Sequence, residues 1–265
     1  MTRPLIILTN DDGIHSPGLA AAALALDPLG DLLIVAPEAQ QSGMGRSMPI
    51  QSNGRLTPVT VQAGGKSWIG YAAHASPAQA VQHAIMELAE RKPALAVSGI
   101  NYGENLGVSI TISGTVGAAL EAAAFGIPSL AVSLQVDPAL HLSYDQSVDF
   151  STAGYFAHRF GALLMKRALP FDVDVLKIDI PAHATPQTPW RVTRLERRPY
   201  YVPVPPDRQE AAGEGRIGYR LHPPEPSSPD TDVAALLDGV VSVTPLSSDM
   251  TARVDLADLA DLLSG

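Results

Sequence analysis

The chain contains no cysteine. That excludes disulfides, thiolate zinc sites, iron–sulfur ligation and a cysteine nucleophile, so any metal must be held by oxygen or imidazole. Aromatic residues make up only 5%, too few for a stacking platform that binds single-stranded nucleic acid. Positive charge is short as well: 18 Lys and Arg stand against 27 Asp and Glu, a formal net charge of −9. A chain of that sign does not grip nucleic acid polymers or anionic membranes through its overall field. A small anion can still bind where a local cation or helix terminus cancels the charge. No apolar run reaches membrane-spanning length. The apolar part of the N-terminus is too short for a signal peptide and leads straight into polar residues, so a soluble cytoplasmic protein is expected. Walker A, Gly-x-Gly-x-x-Gly and Gly-x-Ser-x-Gly patterns are missing, and no two of the seven His show zinc spacing.

What is present is a globular composition, 46% hydrophobic and 17% charged over 265 residues. That suits one large domain or two small ones with a sizeable core. Residues 5–8, 32–36, 94–97 and 130–134 are continuous apolar runs and read as strands buried on both faces. Ser16-Pro17 and Ser76-Pro77 each place an N-cap before a proline at the first helical position. They predict helices over residues 18–26 and 78–89, the second with an apolar stripe of Val81, Ile85 and Leu88. A third helix, residues 115–125, ends at Gly126 with Pro128 beyond. Alternating strands and helices imply an α/β fold, a doubly wound and mostly parallel sheet flanked by helices over residues 1–135. Residues 136–265 are expected to complete the same functional domain. Eleven of the 23 prolines lie between Pro181 and Pro229, which predicts loops, edge strands and β-hairpin arms there. Residues 173–180 and 240–243 read as strands. Residues 251–263 alternate Val254, Leu256, Leu259 and Leu262 with aspartates and read as an amphipathic helix.

Four polar blocks follow the predicted strands, and open α/β sheets bind ligands outside the carboxyl ends of their strands. The first is Asn10-Asp11-Asp12-Gly13. Adjacent carboxylates repel unless a cation sits beside them, so the pair suits a hard divalent metal bound through oxygen. It is equally good turn chemistry. The second, residues 36–43, brings the Ser42 hydroxyl, although alone it reads as an ordinary polar loop. The third, residues 98–105, offers the Asn101 amide oxygen among glycines that open unusual backbone conformations. The fourth, Ser113-Gly114-Thr115, opens the third helix and is either an anion site or a plain cap. Together they supply two carboxylates, a hydroxyl, an amide and an anion cradle, the set needed to hold a divalent metal beside a phosphate. His15 is open between supporting that site and plain exposure. Arg46 is open between a bidentate phosphate contact and a solvated side chain.

In order and spacing these blocks resemble the signature of the SurE family, the stationary-phase survival proteins, which are metal-dependent 5′(3′)-nucleotidases. The likeness continues at Asp232-Val233-Ala234-Ala235 and over residues 241–252, and so spans nearly the whole chain. It implies a Rossmann-like core over residues 1–135 and a phosphoric monoester hydrolase of acid-phosphatase type acting on nucleoside 5′(3′)-monophosphates, and on short polyphosphate. It implies one Mn or Mg ion per subunit held by Asp11, Asp12, Ser42 and Asn101. Asp12, Asn10 and Asn105 would have catalytic roles, with Asp12 either orienting water or attacking directly. Ser113, Gly114 and Thr115 would bind phosphate. A homodimer or homotetramer exchanging C-terminal segments is implied too. The chain departs from the family pattern at Gln79, where an aspartate is usual. It departs at Lys177-Ile178-Asp179, where Asn-x-Asn is common, and at Ser247, where a histidine is common. None of these is a proposed metal ligand. A non-catalytic nucleotide-binding regulatory module and a sugar-nucleotide transferase are the competing readings.

Overall fold

The computed structural model describes residues 2–208, 210–224 and 227–264; Pro226, counted among the prolines above, lies outside them. In chain order the elements are β1 (Leu5–Thr9), α1 (Pro17–Leu26), β2 (Asp31–Pro37), β3 (Leu56–Ala63), β4 (Lys66–Ala73), α2 (Pro77–His83) and β5 (Leu95–Tyr102). There follow α3 (Gly114–Ala124), β6 (Ser129–Leu134), α4 (Ser151–Leu164), β7 (Val175–Ile180), β8 (Trp190–Val192), β9 (Tyr201–Val204) and β10 (Gly218–Leu221). The chain ends with α5 (Asp232–Leu237), β11 (Val241–Leu246) and α6 (Leu256–Ser264).

Among the described residues nine strands form one sheet in the order β3-β4-β2-β1-β5-β6-β7-β11-β8. The block from β4 to β7 is parallel throughout. Antiparallel β3 and β11 close its two sides. The continuous apolar runs are explained by the layers above and below. Ile6 and Leu8 pack toward α1 and α4, where Leu19, Leu26, Phe156 and Phe160 are buried. Ile7, between them, packs the other way with Val35, Val81 and Ala118 under α2 and α3, as the two-residue period of a strand requires. Truncating Phe156 or Leu8 to Ala would cost about 3 kcal/mol or more in lost burial and cavity formation. From β1 the chain moves to β2 on one side and later to β5 on the other. The sheet order therefore reverses between β1 and β5, and open α/β sheets form their ligand crevice outside the carboxyl ends of the strands at such a point.

Several boundaries differ from the sequence expectation. β5 runs on to Tyr102, so Ser98–Asn101 belong to the strand and its register shift against β6, not to the loop; the extension buries Ile100 and Tyr102. The helix expected over residues 78–89 is α-helical only to His83 and then widens into a π turn, Ala84–Leu88, closed by Ala89 N–H to Ala84 O at 2.9 Å. The wider turn keeps both Ile85 and Leu88 on the cluster with Val81. β11 extends to Leu246 despite Pro245. Its partner β8 reaches only Val243, so the missing N–H forfeits no bond on that side. The C-terminal helix starts later than expected, at Leu256, because Asp255 Oδ1 accepts Ala257 N–H at 2.8 Å and sets the first turn. None of its residues is buried. The proline-rich stretch holds the short edge strand β8 and the antiparallel arm β9–β10. No helix among the described residues is long and apolar enough to cross a membrane.

Candidate active site

The loop after β1 is fastened from all sides. Asn10 Oδ1 accepts Gly13 N–H at 3.1 Å, and its Nδ2 donates to Gly13 O at 3.2 Å, so Asn10 shapes the turn that presents the two aspartates. Ile14 N–H donates to Pro37 O at 2.8 Å, and Gln41 N–H to Asp11 O at 2.7 Å. The second bond holds the loop carrying Ser42 against the Asp11 backbone. Gly45 N–H donates to Ile112 O at 2.9 Å, tying that same loop to the approach to α3. Three of the four sequence blocks are thus joined by backbone bonds. The remaining block, residues 98–105, enters through Tyr102 N–H, which donates to Asp12 Oδ2 at 3.1 Å.

Asp11 and Asp12 are 4% and 1% exposed. Asp12 Oδ1 accepts Gln40 Nε2 at 3.1 Å. Asp11 Oδ1 accepts the Thr115 hydroxyl, and the backbone amides of Gly114 and Thr115 also favour its ionised form. Burial outweighs these donors and pushes Asp11 above the usual carboxylate range. Asp12 is pushed further, by burial first and then by the neighbouring Asp11 charge. Among the described residues no cationic side chain is paired with either group. The dense negative charge reaches Tyr102 too: burial and then Asp12 push its phenol up to about 12.

Ser113 caps α3, accepting Val116 N–H on Oγ at 3.1 Å. Gly114 is required by crowding. A Cβ there would lie 2.7 Å from Asp11 Cβ and 2.9 Å from Asp11 Oδ2, so only glycine lets the helix start this close to the carboxylate. Asn101 donates Nδ2 to Gly103 O at 2.7 Å, which commits the amide nitrogen and frees the amide oxygen for a cation. Ser42 is exposed at the rim.

The survival protein SurE family matches residues 6–202. The chain belongs to the SurE family. It is 42% identical to the 5′-nucleotidase SurE of Thermococcus gammatolerans, over 98% of this chain and 96% of that one. It is 40% identical to the 5′-nucleotidase SurE of Thermococcus kodakarensis, over 97% and 98%. The crystal structure of the SurE protein from Aquifex aeolicus superimposes with a TM-score of 0.73 at 30% identity, covering 98% of this chain and all of that one.

The donor set of this SurE chain fits a hard divalent cation. Three or more His, Asp or Glu that could hold a metal converge nowhere among the described residues. A metal would therefore rest on two buried carboxylates that lack a counter-charge, completed by neutral oxygens of Ser42 and Asn101. Arg46 is spent elsewhere, its Nε donating to the buried Glu121 at 2.6 Å. Gln79 completes a reciprocal capping box with Ser76 and so supports the start of α2. Ser247 donates to Asp172 at 2.7 Å, and His15 is exposed. Sequence reading missed three neighbours of Asp12. Gln40 bridges Asp12 and the His141 carbonyl, at 3.1 and 2.9 Å, and the Tyr144 hydroxyl donates to Asp12 O at 2.6 Å. His141 and Tyr144 arrive from the connection between β6 and α4. No signal in the sequence marks them, because only the tertiary fold brings that connection over the crevice.

Proposed function

We propose that this SurE-family protein is a divalent-metal-dependent phosphomonoesterase that hydrolyses nucleoside 5′(3′)-monophosphates to nucleoside and phosphate. The buried, uncompensated Asp11–Asp12 pair, joined through Thr115 to the first turn of α3, carries this reading. The relatives named as 5′-nucleotidases, similar over nearly their full length, support it. Asp11, Asp12, Ser42 and Asn101 would hold one Mn or Mg ion per subunit. Such an ion supplies positive charge that polarises a phosphoryl oxygen and acidifies water. Ser113, Gly114 and Thr115 would receive the remaining phosphate oxygens at the α3 terminus, sharing their donors with Asp11. Gln40 and the Tyr102 amide orient Asp12, and Asn10 holds the turn that presents it. Asn105 lines the substrate side. Short polyphosphate presents the same terminal oxygens and belongs to the proposed substrate range.

The subunits would associate as a homodimer or homotetramer by exchanging C-terminal segments. Leu256, Leu259, Leu262 and Leu263 of α6 are 39–78% exposed, an apolar stripe that gains by covering.

The test is phosphate release from a panel of nucleoside monophosphates, p-nitrophenyl phosphate and tripolyphosphate, with Mn or Mg and with chelator. Metal-dependent release from monophosphates is expected. Activity unchanged by EDTA, or by Asp11→Asn, would overturn the metal role. Binding of a monophosphate without any phosphate release would favour the regulatory-module reading instead.

A further inference from the structure

Asn105 is held at three polar atoms by two buried strands. Its N–H donates to Asp179 Oδ1 at 2.8 Å, its carbonyl accepts Lys177 Nζ at 2.7 Å, and its Nδ2 donates to Ser133 Oγ at 2.9 Å. Ser133, Lys177 and Asp179 are all 0% exposed. Lys177 Nζ also binds Asp179 Oδ2, and Asp232 Oδ2 at 3.2 Å. Asp232 in turn accepts Gly107 N–H at 2.9 Å and Glu196 N–H at 2.9 Å. One lysine and two aspartates thus converge on the backbone of residues 105–107, which runs from Asn101 toward the first turn of α3.

Burying such a cluster is costly before pairing, and well-packed apolar side chains would join the strands at least as well. Stability of the sheet is therefore a weak reason for its presence. What the cluster does that apolar residues could not is grip both the N–H and the carbonyl of Asn105. Its Oδ1 is then, among the described residues, the one polar atom of Asn105 left for substrate or attacking water. We propose that Lys177 and Asp179, braced by Asp232, are positioning residues that act on turnover through Asn105. This rests on the hydrolytic reading above.

The discriminating pair is Asp179→Ala and Asp179→Asn, since Asn keeps an oxygen for the Asn105 N–H and Ala does not. At a temperature where both are folded, kcat of Asp179→Ala should fall about tenfold or more. KM and the metal concentration for half-activity should move less than about threefold. Asp179→Asn should recover most of the loss. Equal kcat in the two variants overturns the proposal. Should Asp179→Ala not fold, Lys177→Met/Asp179→Asn removes one charge of each sign while deleting the bond to the Asn105 carbonyl. The same loss of kcat is expected there, and parental kcat overturns the proposal. A parent that releases no phosphate refutes the hydrolytic reading, and the positioning claim is then read by amide hydrogen exchange at Asn105. Protection lost in Asp179→Ala and kept in Asp179→Asn supports it; equal protection overturns it.

Discussion

Thr115 donates its hydroxyl to Asp11 Oδ1, joining the first turn of α3 to the end of β1 across 104 positions of chain. The proposed metal ligands and the proposed phosphate cradle are therefore bonded to each other. Thr115→Val keeps the shape and deletes the donor, leaving Asp11 buried with less support. A lost bond to a charged group costs about 1.5–3 kcal/mol. Titration of activity against Mn should show the half-saturating concentration rising about tenfold or more, with the melting temperature of the metal-loaded protein little changed. Unaltered metal dependence would refute a role for Thr115 in holding Asp11.

Gly114→Ala places a methyl group 2.7 Å from Asp11 Cβ. The helix start or the carboxylate must shift by several tenths of an ångström. Because Gly114 is the first residue of α3 and does not take a positive φ, alanine suits its backbone, and circular dichroism should report an intact fold. Steady-state kinetics should show kcat/KM down by about one to two orders of magnitude, as misplacement at a reacting centre does. Parental kinetics would show that this close approach is not needed.

The buried cluster on β7 also predicts a pH effect on stability. A free aspartate titrates near 3.9, whereas burial pushes Asp179 up to about 6 against the pull of Lys177. Lys177 on its own strand, Asp232 from α5 and the nearby Tyr200 are the titratable groups facing it. The folded state holds the proton longer than the unfolded chain. This aspartate's contribution is thus fully present below about pH 4 and is lost as pH rises to about 6, a swing of about 3 kcal/mol. Asp179→Asn cannot titrate. In urea unfolding it should gain on the parent by roughly that amount between pH 4 and pH 7, and parallel stability curves would refute the shift.

Much of this architecture can be read from the residues. The apolar runs of β1, β2 and β6 are unbroken because helices cover both faces, and the N-cap and proline pairs mark the starts of α1 and α2. The two helices are capped differently: Ser76 accepts Gln79 N–H at 3.1 Å, while the Ser16 hydroxyl makes no cap bond. The β3–β4 hairpin carries a local signal as well: Gly64 and Gly65, at φ +55° and +75°, are the turn pair that right-twisted strands require. α4 carries its signal as Phe156, Phe160 and Leu164 at four-residue spacing. The segments that carry Asp11, Ser42, Asn101 and Thr115 are identifiable because each follows an apolar run or opens a helix. Gln40, His141 and Tyr144 are not, since their bonds to one another and to Asp12 depend on a connection more than a hundred positions away. Arg46 illustrates the converse: its partner Glu121 lies on α3 with 5% of its side chain exposed, and nothing local announces the pair.

Removing α6 should leave the thermal stability of the core almost unchanged, because none of its residues is buried. Light scattering should nevertheless report a smaller particle for a chain ending at residue 255 than for the full one. An unchanged mass would show that assembly does not use this helix.

The two outer strands of the large sheet bear on how such a protein survives its own synthesis. Parallel sheets form late, from distant pieces of chain, and their open edges invite pairing with neighbouring molecules before folding is complete. Here one margin is β3, interrupted by Pro58, and the other is β8, three residues long. Neither offers a continuous row of backbone donors to a foreign strand. Refolding from denaturant at high concentration should therefore yield clear solutions and native particles in place of fibrous or amorphous precipitate.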